Sequence, residues 1–427
     1  MNILLLGSGG REHAIAWKLR QSPLCGQLYV APGNQGTATL GQNLSFGVND
    51  FDEVVACCRE RSIGMVVVGP EDPLVNGIYD HLRQQEDLRD LIVVGPSAAA
   101  AQLEGSKAFA KAFMGRHGIP TAAYREFTKD NYEDGVAYLK QHALPIVLKA
   151  DGLAAGKGVV IAQSHEEALE TFSDMIQEAR FGAASAKVVI EQFLSGVELS
   201  VFALTDGSDF VLLPEAKDYK RIGEADSGPN TGGMGAISPV PFAAGDFMDK
   251  VMERVVKPTI AGLKQENLVY HGFVFFGLIN VNGEPYVIEY NCRMGDPETE
   301  VVMPRLQSDL VSLFQSMHSG QLAQAQVQFD PRAAATVVLV SGGYPGDFEK
   351  GKEINGLQGP FSADTIPFHA GIREENGQWL TNGGRVAAIT SYGSNVTEAV
   401  NRSLEAIDKI DFDKMNYRRD IGYEFRS

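Results

Sequence analysis

The segment Lys149–Ala162, KADGLAAGKGVVIA, places glycines at 152, 156 and 158 and lysines at 149 and 157 between two short apolar runs. A P-loop needs four residues between its first glycine and the Gly-Lys pair, and then a hydroxyl for magnesium. Here three residues separate Gly152 from Gly156, and Gly158 stands where the hydroxyl belongs. The loop is therefore a glycine-rich turn after a lysine-bearing strand and not a Walker motif. If it meets a nucleotide, the metal ligands must come from elsewhere in the chain.

Upstream, from Asn2 to about Pro96, short apolar runs (ILLLG, LYVAPG, GMVVVGPE, LIVVGPS) alternate with helical stretches such as REHAIAWKLRQ and DEVVACCRERS. Buried strands followed by amphipathic helices predict a doubly wound parallel sheet, whose ligands bind at the strand C-termini. GSGGREHA, Gly7–Ala14, sits at the first of these ends and opens a helix, so its amides can receive an anion. As a dinucleotide fingerprint it fails, because the third glycine falls at Glu12 and the second strand ends in YVAPG without an acid for the ribose. That argues for a phosphate monoester and against a NAD-dependent oxidoreductase.

Downstream, a small unit runs through IVLKA, the glycine loop, VVIA, a helix over about 165–180 and KVVIEQFL, with a βαβ-like size that suggests a lid. Strands ELSVFALTD, FVLLPEAKD, GFVFFGLINV and EPYVIEYN and a helix over about 246–265 follow, and the last hundred residues are rich in short strands. In EPYVIEYN and its continuation, Glu289, Asn291 and Arg293 share one strand face. A carboxylate beside an amide oxygen suits Mg²⁺, and an arginine can fork onto a carboxylate. SGPNTGGMGAISP, Ser227–Pro239, with Lys220 and Arg221 just upstream, is a long turn-rich stretch of the kind that binds phosphate or carboxylate.

A chain of 427 residues exceeds a single core and predicts several domains. The 37 basic against 54 acidic residues give a formal charge of −17, which opposes nucleic acid and anionic membrane as partners. Four cysteines without metal spacing, and no apolar run of membrane-spanning length, predict a cytoplasmic protein. A monomer is the expectation.

The glycine loop after a lysine-bearing strand, then E-x₄-G-x-E at Glu191–Glu198, then E-x-N-x-R at Glu289–Arg293, resembles the ATP-grasp superfamily in order and spacing. With GSGGREHA, VGPEDPLV, LEGSKAF, GPNTGGMGA and EYNCRMGDPETE added, the chain resembles the phosphoribosylamine–glycine ligase family over nearly its whole length. The resemblance implies an α/β multi-domain protein. It would have an N-terminal doubly wound domain (1–103), an ATP-grasp α+β core (104–325) with a lid at about 121–190, and a β-rich α+β C-terminal domain (326–427). It implies ATP as cosubstrate, Mg²⁺ or Mn²⁺ as metal, and glycine and 5-phosphoribosylamine as the partners to be joined. Lys107, Lys149, Gly152, Gly156, Lys157 and Gly158 would meet the ATP phosphates, with Lys149 fixed on its strand and Lys157 mobile. Glu191, Gln192, Phe193 and Leu194 would hold adenine, and Glu198 the ribose. Glu289 and Asn291 would hold the metal, and Arg293 the substrate carboxylate. Phosphoribosylamine would lie among Gly9, Gly10 and Arg11, the Gly69–Pro70–Glu71–Asp72 turn, Asp218, Lys220, Arg221, and Gly232, Gly233, Met234 and Gly235. The sequence departs from the pattern where many ATP-grasp enzymes carry a further carboxylate, the nearest position being Asn280, and at Ala216-Lys217, where some family members carry Ser-Gln.

Overall fold

The computed structural model describes residues 1–152, 158–178 and 186–426. Its backbone is a nine-stranded sheet made of two joined halves. Strands Asn2–Gly7, Leu28–Pro32, Gln42–Asn43, Ile63–Val68 and Ile92–Pro96 pair in parallel. Ile3, Leu4, Leu5 and Leu6 are fully buried, as continuous apolar strands are when helices cover both faces. The parallel half passes into an antiparallel half where Tyr270 and His271 pair with Pro96 and Gly95. There, strand Tyr270–Val281 lies between Val197–Thr205 and Glu284–Asn291.

Strands Tyr124–Thr128, Lys187–Gln192, Ile146–Ala150 and Val159–Ala162 form a separate four-stranded sheet. All its pairings are antiparallel, so the βαβ expectation gives way to a strand order in which Lys187–Gln192 lies between Tyr124–Thr128 and Ile146–Ala150. Helices Tyr132–Gln141 and His165–Ile176 cover it and enclose a core of its own around Phe127, Leu148 and Phe172. Gly156 and Lys157 lie outside the described residues.

The third sheet, of five strands, combines Lys217–Asp218 and Gly235–Ser238 with Ala333–Val340, Thr365–His369 and Arg385–Gly393. Gly235 and Ser238 pair with Val337 and Ala334, so this sheet is shared between chain segments far apart in sequence. Helix Val396–Ile407 backs it. The Asn395 side chain caps its N-terminus by accepting from Glu398 N–H, and Val396, Ala399, Val400, Ser403 and Ile407 are buried at helical spacing. FVLLPEAKD, read from sequence as one strand, is two, Phe210–Leu212 and Lys217–Asp218, broken around Pro214.

Candidate active site

The four-stranded sheet and the antiparallel half of the large sheet meet around Glu191, the last buried residue of its strand. Its Oε2 lies 3.0 Å from Lys149 Nζ and 3.2 Å from Lys111 Nζ. Lys149 Nζ also donates to Ile288 O at 3.3 Å, which ties the small sheet to strand Glu284–Asn291. Lys111, four residues after Lys107 on helix Lys107–Arg116, is only 2% exposed, and burial lowers its ammonium to about 8 despite Glu191. Lys107 reaches Gly152 O at 2.8 Å. Burial pulls its ammonium below the usual lysine value, with Glu289 the largest opposing influence. Asp151, beside Gly152, accepts from Ser106 Oγ and Ala108 N–H, so the start of that helix and the glycine loop are bound together. Beyond Glu191, Gln192 N–H bonds Ala123 O at 2.9 Å, and Phe193 is 36% exposed, with Leu194 half-buried beside it.

On strand Glu284–Asn291 the Glu289 carboxylate is exposed and Asn291 is buried, and neither side chain bonds to protein among the described residues. Two unengaged hard oxygen donors, two residues apart, fit a divalent cation that fills its other positions with phosphate and water. The pairing register puts Gly277, not Asn280, opposite Glu289. A Cβ there would stand 3.0 Å from Glu289 Cγ, while Asn280 Oδ1 closes the hairpin turn by accepting from Gly283 N–H at 2.8 Å. Among the described residues no cluster of three acidic, histidine or cysteine ligands occurs.

Arg293, expected at the substrate carboxylate, has two carboxylates of the chain beside it. Its Nε is 3.2 Å from Glu71 Oε2 and its Nη2 is 2.7 Å from Glu104 Oε1. Burial opposes the Arg293 charge, but Glu104 and Glu71 hold it above the ordinary arginine value. Glu104, on helix Ala98–Gly105, accepts Cys292 N–H with its other oxygen at 2.7 Å. Burial raises its carboxyl, with Arg293 the main offset. Glu71 stays below the usual carboxylate range against the effect of burial, because Arg293 and Arg11 face it.

The glycine turn of the first strand is partly filled by its own chain. Glu12 Oε2 accepts Gly9 N–H at 2.7 Å, while Oε1 holds Arg11 Nε at 2.6 Å. The residue that breaks the dinucleotide fingerprint thus serves as an internal anion. Room for it comes from Gly7, at φ +129°, and Gly69, where a Cβ would stand 2.2 Å from Glu12 Oε1. Arg11 Nη1 reaches Met294 O at 3.3 Å, so the turn is tied to the segment just beyond strand Glu284–Asn291. Asn34 Nδ2 bonds Ser8 O, Gly9 O and His369 O, joining the same turn to the C-terminal sheet.

Around the second glycine loop, Gly232 N–H donates to Tyr344 Oη at 2.8 Å and Gly232 O accepts from Arg385 Nη1 at 2.6 Å. Arg385 also contacts Asp296 Oδ1 at 3.1 Å, and Asp296 Oδ2 lies 3.3 Å from where a Gly9 Cβ would be. Met234 and Gly235, expected at the substrate, are fully buried or built into strand Gly235–Ser238. Arg221 turns into its own hairpin by bonding Gly228 O. Glu198, expected at the ribose, pairs with Lys220 at 3.0 Å, and Lys220 also holds Asp218 at 2.9 Å. Lys217, at the departure from the family pattern, lies over the Tyr219 ring and pairs with Glu424 at 3.2 Å, so it serves the C-terminal packing.

Lys111, Glu104, Tyr344 and Arg385 escaped the sequence reading. Lys111 shares a helix face with Lys107 at i+4, and that signal was present. Nothing local marks Tyr344 or Arg385.

Two sheets that bring buried lysines and a metal-ready Glu-x-Asn pair to one cleft define an ATP-grasp protein. Models of the phosphoribosylglycinamide synthetase N domain, ATP-grasp (A) domain and C domain match residues 1–104, 105–299 and 334–424. The chain belongs to the phosphoribosylglycinamide synthetase family. It is 49% identical to the phosphoribosylamine–glycine ligase of Vibrio cholerae over 99% of this chain and 98% of that one, and 46% identical to that of Pseudomonas aeruginosa over the same shares. The phosphoribosylamine–glycine ligase structure from Thermotoga maritima superposes with a TM-score of 0.85 at 36% identity, over 99% of this chain and 100% of that one. The biotin carboxylase domain of the Hydrogenobacter thermophilus 2-oxoglutarate carboxylase shares the fold, with a TM-score of 0.72 at 17% identity over 97% and 91% of the chains.

Proposed function

We propose that this chain is an ADP-forming ligase that joins glycine to 5-phosphoribosylamine at the expense of ATP, the glycinamide ribonucleotide-forming step of purine biosynthesis. The observation that carries the reading is the convergence, at one joint, of Lys107, Lys111 and Lys149, the Glu289–Asn291 pair and a buried arginine. The glycine carboxylate, held at Arg293, attacks the γ-phosphorus of ATP and breaks its bond to the β,γ-bridging oxygen, so that ADP leaves. The acyl phosphate formed is then attacked at its carbonyl carbon by the amine of phosphoribosylamine, which expels phosphate and gives up one proton to form the amide. No side-chain nucleophile is needed, so catalysis is alignment and charge neutralisation. Lys107 and Lys149 serve the phosphates, and Glu191 fixes Lys149 for that task. Glu289 and Asn291 would hold Mg²⁺ or Mn²⁺, which supplies further positive charge to the transferring phosphoryl group.

The small sheet, with its independent core, suits a cover that excludes water from the hydrolysable acyl phosphate. Adenine would lie against the backbone of Glu191–Leu194, with Phe193 at its face. Phosphoribosylamine would lie near Gly9–Arg11, the backbone of the Gly69–Asp72 turn, Asp218, Lys220 and the Gly232–Gly233 loop. No helix among the described residues is long and apolar enough to cross a membrane, and four buried free thiols suit a reducing cytoplasm. The test is to follow ADP with ATP, Mg²⁺, glycine and phosphoribosylamine, omitting each in turn. ADP release indifferent to glycine overturns the reading.

A further inference from the structure

We propose that Glu71 receives the ammonium group of the amino-acid substrate, so that Glu71 and Arg293 together form a receptor for a zwitterion. The inference rests on glycine being the carboxylate substrate and adds how the site tells an amino acid from a simple carboxylate.

Two carboxylates face the one guanidinium of Arg293, and they are not equivalent. Glu104 is 6% exposed and is held at both oxygens, one on Arg293 and one on Cys292 N–H, each at 2.7 Å. It is the permanent counter-ion. Glu71 is 29% exposed and touches Arg293 through one oxygen at 3.2 Å, and its other oxygen bonds no other residue among those described. Arg11, the other cation facing Glu71, is committed through Nε to Glu12 at 2.6 Å. With Glu104 already balancing Arg293, Glu71 is a surplus negative charge at the open side of a buried positive one.

Opposite charges set about 3 Å apart on one wall match the two ends of an α-amino acid, and hydrogen bonds between ionised partners are the strong ones. Neighbouring carboxylates are less suited. Asp296 is engaged by Arg385 at 3.1 Å, Asp218 by Lys220 at 2.9 Å, and Glu298 is buried on Ser200 at 2.9 Å. The placement also fits the chemistry. Arg293 stands two residues beyond Asn291, so a carboxylate held there lies toward the phosphates. Glu71 starts the short helix Glu71–Val75 at the C-terminal end of strand Ile63–Val68, so the ammonium would point away from them.

The test uses the full-length protein with Mg²⁺, ATP and phosphoribosylamine. Steady-state KM for glycine and the inhibition constant of acetate, which is glycine without its ammonium group, are compared for wild type, Glu71→Gln and Glu71→Asp. Glu71→Gln is expected to raise the glycine KM about ten- to a hundredfold, the loss of one charge-assisted bond. The ATP KM should stay within about twofold on the same scale. Acetate inhibition should be unchanged or tighter, and Glu71→Asp should fall between wild type and Glu71→Gln. If glycine and acetate weaken in parallel, Glu71 only holds Arg293 in place and the proposal fails. It fails equally if the glycine KM is unmoved or if the phosphoribosylamine KM rises instead. A wild-type enzyme that turns over ATP without glycine overturns the proposed function itself, a result separable from these. Thermal midpoints of both variants establish that they are folded. Should Glu71→Gln not fold, the glycine-to-acetate ratio in Glu71→Asp decides.

Discussion

Replacing Lys111 by methionine is expected to stabilise the protein while making it a poorer user of ATP. Two lysines share one buried carboxylate at this point, so the cluster carries a net positive charge away from water. The fall of the Lys111 ammonium from 10.5 to about 8 corresponds, at 1.36 kcal/mol per pH unit, to roughly 3 kcal/mol against keeping it charged in the folded chain. Methionine fills a similar volume without charge. Glu191 is not stranded, because Lys149 remains 3.0 Å away. Against the gain stand the donors lost to Thr121 Oγ1 at 2.7 Å and Ala122 O at 3.4 Å, at about 1 kcal/mol each. The balance is a gain of roughly 1–2 kcal/mol at pH 7.

The pH dependence has a fixed sign. A lysine whose folded value is depressed binds fewer protons in the folded chain than in the unfolded one, so its penalty is complete below about 8 and vanishes as pH rises toward 10.5. The thermal midpoint of Lys111→Met minus that of wild type should therefore be positive at pH 7 and shrink across that window. With Lys111 gone, Glu191 neutralises Lys149 alone, so the ATP KM should rise several-fold while the glycine KM holds. A lower midpoint at pH 7, or an advantage that does not decline with pH, refutes the argument.

Glu104→Gln keeps an acceptor for Cys292 N–H but removes the fixed counter-ion of Arg293, and steady-state kinetics should show the glycine KM up by about tenfold with the ATP KM unmoved. Gly69→Ala would put a methyl 2.2 Å from Glu12 Oε1 and 2.7 Å from Leu6 O. It should cost about 1–3 kcal/mol in denaturant unfolding, because the backbone oxygen cannot move aside. Glu298, raised to about 7 by burial and then by Asp218, binds its proton more tightly when folded. Its contribution is present below the unfolded value of 4.5 and is lost as pH rises through about 7. Glu298→Gln should therefore be the more heat-stable form above pH 7, with the difference disappearing on acidification toward 4.5 in a midpoint series.

The elements most legible in the sequence were those with one-dimensional signatures. The parallel strands announce themselves as unbroken apolar runs ending in glycine, and Glu289-x-Asn291 shows its period-two spacing within strand Glu284–Asn291, which ends before Arg293. What escaped depends on pairing between distant segments. The resemblance pointed to Asn280 as the position nearest the family's further carboxylate, but the pairing register sets Asn280 opposite Pro285 and Gly277 opposite Glu289. Glu198 meets Lys220 because Ser200 pairs with Ala216, which draws the next segment alongside. Arg293 showed its charge in the sequence but not its partners, since Glu71 and Glu104 come from two other elements. Arg385 lies in a plain apolar strand and gains significance only from Gly232 and Asp296 beside it.

The shared five-stranded sheet has a consequence in time. Strand Gly235–Ser238 pairs with Ala333–Val340, roughly 100 residues later in the chain, so at ~5–20 residues per second its ribosome-bound edge waits about 5–20 s for its partner. An unpaired edge is a template for another chain's strand. During synthesis, then, the vulnerable stretch is in the middle of the polypeptide, and translation of the last hundred residues ends the exposure. A chain stopped before Ala333 would keep that edge open permanently and should accumulate as aggregate, not as a smaller active enzyme.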